Sequence, residues 1–154
     1  CPIKKFCIGF NENLIEKFSI KTKSKKTPSF NVSVALIIKN NKILISKRKK
    51  NGLLGGLWEL PGGKLITNEG FQDGLKRELL EELNVKIKII NEIGTIKHQY
   101  SHFKINMCGF KCKIKSGFPK PLVSDGIKWI NLNEINNYAF PKATLKLFDI
   151  IDND

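Results

Sequence analysis

The sequence GKLITNEGFQDGLKRELLEELNV, residues 63–85, decides the fold class of this 154-residue chain. Its apolar side chains recur at a spacing of four, which predicts an amphipathic helix over residues 70–83. The apolar stripe consists of Phe71, Leu75, Leu79 and Leu83. Asn84 follows where a helix commonly ends in the left-handed conformation, so we expect the helix to stop there.

Three glutamates, Glu78, Glu81 and Glu82, share one face of this predicted helix, because positions three and four apart are neighbours. Like charges at this spacing repel by about 0.2–0.5 kcal/mol per pair, and a bound cation relieves that cost. Carboxylate oxygens select Mg²⁺ or Mn²⁺. The alternative is a solvated acidic face with Lys76 and Arg77 as its partners.

Two features beside the glutamates favour a ligand site. The pair Gly62-Gly63 allows the backbone to approach a ligand closely. Arg77 is expected to pair with Glu69 or Glu78 and to hold the preceding loop against the helix.

The pattern Gly-x5-Glu-x7-Arg-Glu-Leu-x-Glu-Glu-x-Asn-Val over residues 63–85 resembles the Nudix box, with Asn84 where that family has Gly. The resemblance implies an α+β Nudix fold, an α/β/α sandwich with a mixed β-sheet. It implies that Mg²⁺ is bound by Glu78, Glu81 and Glu82. The catalytic residues that it implies are Glu69, Glu81 and Glu82, with Glu69 supporting the metal site. The implied reaction is attack of water on a nucleoside diphosphate linkage, with the metal clamping the phosphates and activating the water.

The rest of the chain predicts more strands than helices, which agrees with an α+β domain and a mixed sheet. Asn40-Asn41 tolerate positive φ and predict a hairpin between the first two strands. A Gly-rich loop follows over residues 49–57. Strands are predicted over residues 31–39, 42–47, 58–60, 85–93, 94–99, 103–114 and 127–130, and a closing helix over residues 143–151.

The composition, 41% hydrophobic and 27% charged residues, is typical of one globular domain. It excludes a disordered tail, a collagen and a coiled coil. No apolar run approaches the roughly 20 residues that a membrane span needs. There is no signal peptide, so we expect a cytoplasmic protein without a membrane partner.

The net charge of +13, from 27 basic and 14 acidic residues, favours a polyanionic partner: DNA, RNA or nucleotide phosphates. Lysines cluster in residues 21–26 and 47–50. The alternative is compositional drift from A/T-rich coding, because only Arg48 and Arg77 are arginines.

The four cysteines, in a chain without a signal peptide, argue against a disulfide framework. Cys108 and Cys112 lie at an even spacing in a predicted strand, so we expect both to be buried on one face. Cys1 and Cys7 are spaced for ligation, but two thiolates cannot complete a four-ligand site. A zinc site shared by both pairs is the alternative.

Residues 52–64, GLLGGLWELPGGK, are similar to the C-terminal domain of adenine DNA glycosylases of the MutY type. So are KHQYSHF at residues 97–103 and YAFP at residues 138–141. Cys1-x5-Cys7 resembles the last two ligands of that family's Cys-x6-Cys-x2-Cys-x5-Cys loop.

This resemblance implies a division of the chain. Residues 1–30 would be the end of an iron–sulfur loop and a basic interdomain connector, and residues 31–154 a Nudix-like domain. Cys1 and Cys7 would then ligate a 4Fe–4S cluster in the full-length protein only. The N-terminal glycosylase domain and the other two ligands are expected upstream of this chain.

The same resemblance implies that Tyr100, Ser101 and His102 contact 8-oxoguanine opposite adenine in DNA. The Ser101 hydroxyl both donates and accepts, which suits the N7–H and O8 edge that distinguishes 8-oxoguanine from guanine. The alternative is an ordinary hairpin turn with an interfacial tyrosine.

Two functions therefore stand as hypotheses. The first is a lesion-recognition domain of an adenine DNA glycosylase in base excision repair, without adenine excision by this chain alone. The second is a Mg²⁺-dependent Nudix pyrophosphohydrolase acting on 8-oxo-dGTP or another nucleoside triphosphate. A protein-interaction module using residues 11–30 is a third and less specific option.

Overall fold

The sheet is organised around its central strand, β1 (Ser29–Lys39), which has neighbours along both edges. The computed structural model describes residues 1–18 and 27–151. The predicted basic connector at residues 21–26 lies outside the described residues. Before β1, the chain forms a 3-10 turn (Lys4–Phe6) and two single-turn helices, α1 (Ile8–Asn11) and α2 (Ile15–Phe18).

The strand order is β3-β2-β1-β6-β5, while β4 pairs with β1 and β7 pairs with β2. Strands β1 and β6 run parallel, and the other pairs are antiparallel, so the predicted mixed sheet is confirmed. The remaining strands are β2 (Lys42–Lys47), β3 (Trp58–Glu59), β4 (Gly62–Lys64), β5 (Lys86–Gln99), β6 (Lys104–Ser116) and β7 (Gly126–Asn131).

The predicted hairpin between β1 and β2 is confirmed. Asn40 and Asn41 both have positive φ, 49° and 60°. This is the conformation of a two-residue turn whose twist matches that of the flanking strands, and Asn adopts it at low cost.

The predicted central helix is confirmed as α3 (Phe71–Leu83), with Gly70 just before it. The side chains of Leu75, Leu79 and Leu83 are buried. Asn84 ends the helix with φ 55° and ψ 41°, and its N–H donates to the carbonyls of the last turn. The four-residue apolar spacing and the terminating Asn are therefore sufficient to fix this element.

Helices cover both faces of the sheet, which confirms the α/β/α sandwich. The stripe of α3 packs on one face against a core that includes Ala35, Ile37 and Phe110. The second helix, α4 (Lys142–Ile151), packs on the other face. Its core residues are Ala143, Leu147 and Phe148, with Val34, Leu36, Ile105 and Met107 of the sheet.

Two predicted strands, residues 85–93 and 94–99, form one continuous strand, β5. The apolar pattern is interrupted where the pairing of β5 with β6 shifts register, between Ile89 and Asn91 and between Glu92 and Gly94. A bulge leaves one residue unpaired and lets the strand continue, so the break marks irregular pairing within one strand.

Other boundaries differ slightly. Strand β6 extends to Ser116, beyond the predicted residue 114. A 3-10 helix (Leu132–Asn137), which the sequence pattern did not predict, follows β7 and is capped by Asn131 and Glu134. No helix within residues 1–18 and 27–151 has the length and apolar character that a membrane crossing requires.

Candidate active site

The bend formed by Gly62 and Gly63 brings β4 against the acidic face of α3. Gly62 has φ +140° and packs on the backbone of Ser33 and Val34 in β1. A Cβ on Gly63 would overlap the carboxylate of Glu78. A residue without a side chain is therefore needed at both positions. Gly62 lies against the backbone of β1, and Gly63 lies against the carboxylate of Glu78, a candidate metal ligand.

Arg77 is the centre of an ion-pair network on α3. Its Nε and Nη2 donate to the two oxygens of Glu69, each at 2.8 Å. Its Nη1 donates to Glu78 at 2.8 Å and to Glu81 at 3.1 Å. Nη2 also donates to the carbonyl of Lys64 at 3.2 Å. The expected pairing of Arg77 with Glu69 or Glu78 is thus observed with both.

Glu69 is held as a carboxylate at the start of α3. The bidentate bond from Arg77, and a 3.0 Å bond from the Ile66 N–H, lower its pKa to about 2. The Glu69 and Glu78 side chains are 11% and 15% exposed, so both are largely shielded from solvent. Glu69 is therefore linked to Glu78 and Glu81 through Arg77.

A second group of charges lies where β3 faces α3. Glu59 of β3 forms an ion pair with Arg48, which the sequence pattern did not single out. Burial raises the pKa of Glu59 despite that partner. Burial, and then the charges of Glu78 and Glu59, raise the pKa of Glu82 to about 7. The Glu59 and Glu78 carboxylates are therefore near enough to Glu82 to disfavour its charge.

A cavity of about 470 Å³ connects these acids to an apolar wall. The acidic residues of its lining are Glu59, Glu78 and Glu82, and Arg48 lines it as well. The apolar wall is formed by residues of β1, β6 and three loops. These residues are Val32, Val34, Leu53, Leu54, Tyr100, Phe103, Ile105, Met107 and Val123. A volume of this size accommodates a nucleotide-sized ligand.

The donor set fits Mg²⁺ in its chemistry, because it offers carboxylate oxygens whose mutual repulsion a divalent cation would relieve. Of the predicted ligands, Glu78 and Glu82 line the cavity. Glu81 is 58% exposed and bonds to Arg77. Among the described residues, no three acidic, His or Cys side chains converge as a preformed metal cage.

The Tyr100-Ser101-His102 segment is the turn between β5 and β6. The N–H of Tyr100 donates to the Phe103 carbonyl at 2.8 Å. The Tyr100 ring stacks on Phe103, with 4.6 Å between ring centroids, and meets the edge of His98. Tyr100 is thus half-buried beside the cavity, whereas Ser101 and His102 are exposed at the tip.

The two cysteine pairs differ as expected in burial. Cys108 and Cys112 are buried in the core under α3, and burial raises the pKa values of their thiols to about 11 and 12. Cys1 is exposed and Cys7 is half-buried. In the described ranges all four thiols are free, and none belongs to a group that is arranged to hold a metal.

Replacing Gly63 by alanine is expected to impair the site more than the fold. The three heavy atoms nearest to the added methyl all belong to the Glu78 carboxylate, the far end of a flexible side chain, so Glu78 must shift from its place in the cavity. We expect at least a tenfold loss of any Mg²⁺-dependent activity, with a change below about 1 kcal/mol in the free energy of unfolding. Enzyme assays and urea denaturation measure the two effects; a fully active variant would contradict the placement of Glu78.

Comparisons with known proteins place the domain. The NUDIX domain family matches residues 33–149. The 8-oxo-dGTP diphosphatase of Buchnera aphidicola subsp. Schizaphis graminum is 36% identical over 116 residues, which cover 72% of this chain and 84% of that protein. The MutT protein of Methanosarcina mazei Go1 superposes with a TM-score of 0.75 at 22% identity, over 84% of this chain and 97% of that one.

A second group of relatives is longer. Human adenine DNA glycosylase is 27% identical over 113 residues, which cover 70% of this chain and 20% of that protein. The chain thus spans about a fifth of the glycosylase that it matches.

Proposed function

The chain belongs to the NUDIX domain family, and from this premise we propose that it is a Mg²⁺-dependent pyrophosphohydrolase acting on 8-oxo-dGTP or another nucleoside triphosphate. The observation that carries the proposal is the cavity itself, whose lining combines three carboxylates with an apolar and aromatic wall. The wall suits a nucleobase, and the carboxylates suit a metal-bound phosphate chain. The similarity to 8-oxo-dGTP diphosphatases supports the same substrate class.

The proposed reaction is attack of water on a phosphorus atom of the triphosphate, which breaks one phosphoanhydride bond and yields a nucleoside monophosphate and pyrophosphate. Bound Mg²⁺ would neutralise the phosphate charge and lower the pKa of bound water. Glu78, Glu81 and Glu82 would hold it. Glu69 keeps Arg77 in place, and Arg77 in turn fixes Glu78 and Glu81.

The apolar wall would bind the base. The stacked rings of Tyr100 and Phe103 are half-buried beside the cavity, so they offer a fixed aromatic surface at low entropic cost. The Arg48–Glu59 ion pair lines the same cavity, and Arg48 also donates to the carbonyl of Leu53 at 2.9 Å. Its position keeps the Glu59 charge partly compensated while substrate binds.

The test is an assay of pyrophosphate release by the purified chain with 8-oxo-dGTP and dGTP, in MgCl2 or in EDTA. We expect Mg²⁺-dependent turnover that is faster for 8-oxo-dGTP. Absence of turnover of every nucleoside triphosphate in MgCl2 would overturn the proposal.

The exposed tip favours a second candidate function, recognition of 8-oxoguanine in DNA by a domain of an adenine DNA glycosylase. The observation behind it is the exposure of Ser101 and His102 beside a packed Tyr100. The similarity to adenine DNA glycosylases supports it. Cys1 and Cys7 would then be two ligands of a 4Fe–4S cluster completed by an N-terminal glycosylase domain.

Replacing Ser101 by alanine tests this candidate. Because one hydroxyl hydrogen bond contributes about 0.5–1.5 kcal/mol, we expect the preference for a duplex with 8-oxoguanine over one with guanine to fall roughly three- to tenfold. Fluorescence anisotropy with paired duplexes measures it. Ser116→Ala, at the exposed end of β6, is the matched control. If the wild-type chain shows no lesion preference, or if Ser101→Ala retains all of it, the candidate fails.

A further inference from the structure

A second concave surface lies at the end of the sheet next to the β5–β6 turn, and most of its lining residues face away from the nucleotide cavity. It has a volume of about 440 Å³ and is formed where β1, β6 and β5 run side by side. We call it the amide–lysine shelf, and we define it by Ser29, Asn31, Lys97, Gln99, Lys104 and Asn106.

The strand register places these six residues in two rows of three. Ser29 pairs with Lys104, and Lys104 with Gln99. Asn31 pairs with Asn106, and Asn106 with Lys97.

Side chains along a strand point alternately to the two faces of the sheet, and this alternation shows which face the two rows occupy. The neighbouring residues Val32 and Ile105 point toward the nucleotide cavity and its core. Residues one position away point to the other side of the sheet. The six shelf residues therefore face away from the cavity, while Ile105, which lines both surfaces, and its cross-strand partner His98 form the border between them.

The shelf presents hydrogen-bond donors and positive charge. The Nδ2 group of Asn106 donates to Oδ1 of Asn31 at 3.2 Å, so the N–H groups of Asn31 stay available. Lys97 and Lys104 are exposed, and within residues 1–18 and 27–151 neither forms a salt bridge. None of the described residues that line the shelf is acidic.

We propose that the amide–lysine shelf binds the phosphodiester backbone of DNA. Its two lysines are diagonal neighbours on adjacent strands, so their Cα atoms are roughly 7–8 Å apart. This distance is comparable to the separation of successive phosphates along a DNA strand. Lysine and amide N–H groups are common partners of phosphate oxygens. The shelf is open and shallow, so it suits a continuous strand that runs past the β5–β6 turn.

The shelf does not rest on the hydrolase proposal, since its six residues face away from the nucleotide cavity. It extends the second candidate function, because its strands β5 and β6 are joined by the turn that carries Ser101. A backbone contact here would hold a duplex against the sheet without reading its sequence.

The experiment measures binding of the whole chain to a fluorescein-labelled, undamaged 20-base-pair duplex, by anisotropy from 25 to 200 mM NaCl. The shelf variant is Lys97→Gln with Lys104→Gln. The matched control is Lys111→Gln with Lys113→Gln, two exposed lysines of β6 outside the shelf. Both variants remove two positive charges.

We expect the shelf variant to bind roughly tenfold more weakly at 50 mM NaCl and to lose about 2 from the slope of log K against log salt. The control should change affinity by less than about twofold. Equal losses in the two variants, or an unchanged slope in the shelf variant, would overturn the proposal.

A second variant, Asn31→Asp, keeps the acceptor for Asn106 but replaces the outward N–H groups by a charged oxygen. We expect a loss of affinity of about threefold or more. Displacement of the duplex by inorganic triphosphate at equal phosphate concentration would identify a site for free polyphosphate and would also overturn the proposal.

Because the duplex is undamaged, its binding depends neither on recognition of 8-oxoguanine nor on nucleotide hydrolysis. Hydrolysis of 8-oxo-dGTP should stay within about twofold of wild type in the shelf variant. Failure of Ser101→Ala to change lesion preference leaves the shelf intact, and failure of the shelf variant leaves the hydrolase proposal intact.

Discussion

Glu82→Gln is expected to lower kcat for 8-oxo-dGTP hydrolysis by roughly 100-fold or more. The substitution preserves the shape of the side chain and removes a cavity carboxylate whose charge is influenced by both Glu78 and Glu59. Loss of one precisely placed electrostatic group commonly costs about 100- to 1,000-fold in kcat. Steady-state assays at saturating MgCl2 measure the effect.

The same variant should fold at least as stably as the wild type. Burial and two neighbouring carboxylates disfavour the charge of Glu82, so the neutral amide relieves repulsion in the absence of metal. Glu12→Gln, at an exposed position outside the site, is the matched control and should leave both activity and stability unchanged. A Glu82→Gln enzyme with wild-type kcat would remove Glu82 from the catalytic machinery.

Gly62→Ala is expected to lower the free energy of unfolding by about 3 kcal/mol or more. A Cβ at this position would overlap the carbonyl oxygen of Ser33 and would lie 2.8 Å from Cα of Val34. Both are backbone atoms of the central strand, so neither can turn aside. The φ of +140° adds strain for any residue with a side chain.

Gly126→Ala is the matched control for this prediction. Nothing lies within 4 Å of a Cβ built on Gly126, and its φ is not in the positive range. We expect its free energy of unfolding, measured by urea denaturation, to stay within about 0.5 kcal/mol of the wild-type value. Equal urea midpoints for Gly62→Ala and Gly126→Ala would contradict the close contact between the backbones of β1 and β4 at Gly62.

Local sequence patterns predicted the elements whose causes are local. The leucine stripe of α3, the left-handed Asn84 and the Asn40-Asn41 turn each depend on residues within one helical or hairpin unit, and each is found as predicted. The helices on both faces also follow from amphipathic stripes that need a sheet to cover.

Long-range features were not predictable in this way. The ion pair of Arg48 with Glu59 joins the residue that follows β2 to strand β3, and no spacing rule connects the two positions. The charge of Glu82 is disfavoured by Glu59 of β3 as well as by its helix neighbours Glu78 and Glu81. Helical spacing places Glu81 beside Glu78 and Glu82, and it does not indicate that Glu81 is 58% exposed and bonds to Arg77.

The parallel pairing of β1 with β6 has a consequence for biosynthesis. Ser29 is registered against Lys104, and Ile37 against Cys112, so each partner is made 75 residues after the strand that it joins. At about 5–20 residues per second, the ribosome takes roughly 4–15 s to cover that interval. During this time one edge of the nascent central strand lacks its final neighbour, and this is the period in which we expect the chain to depend most on chaperones.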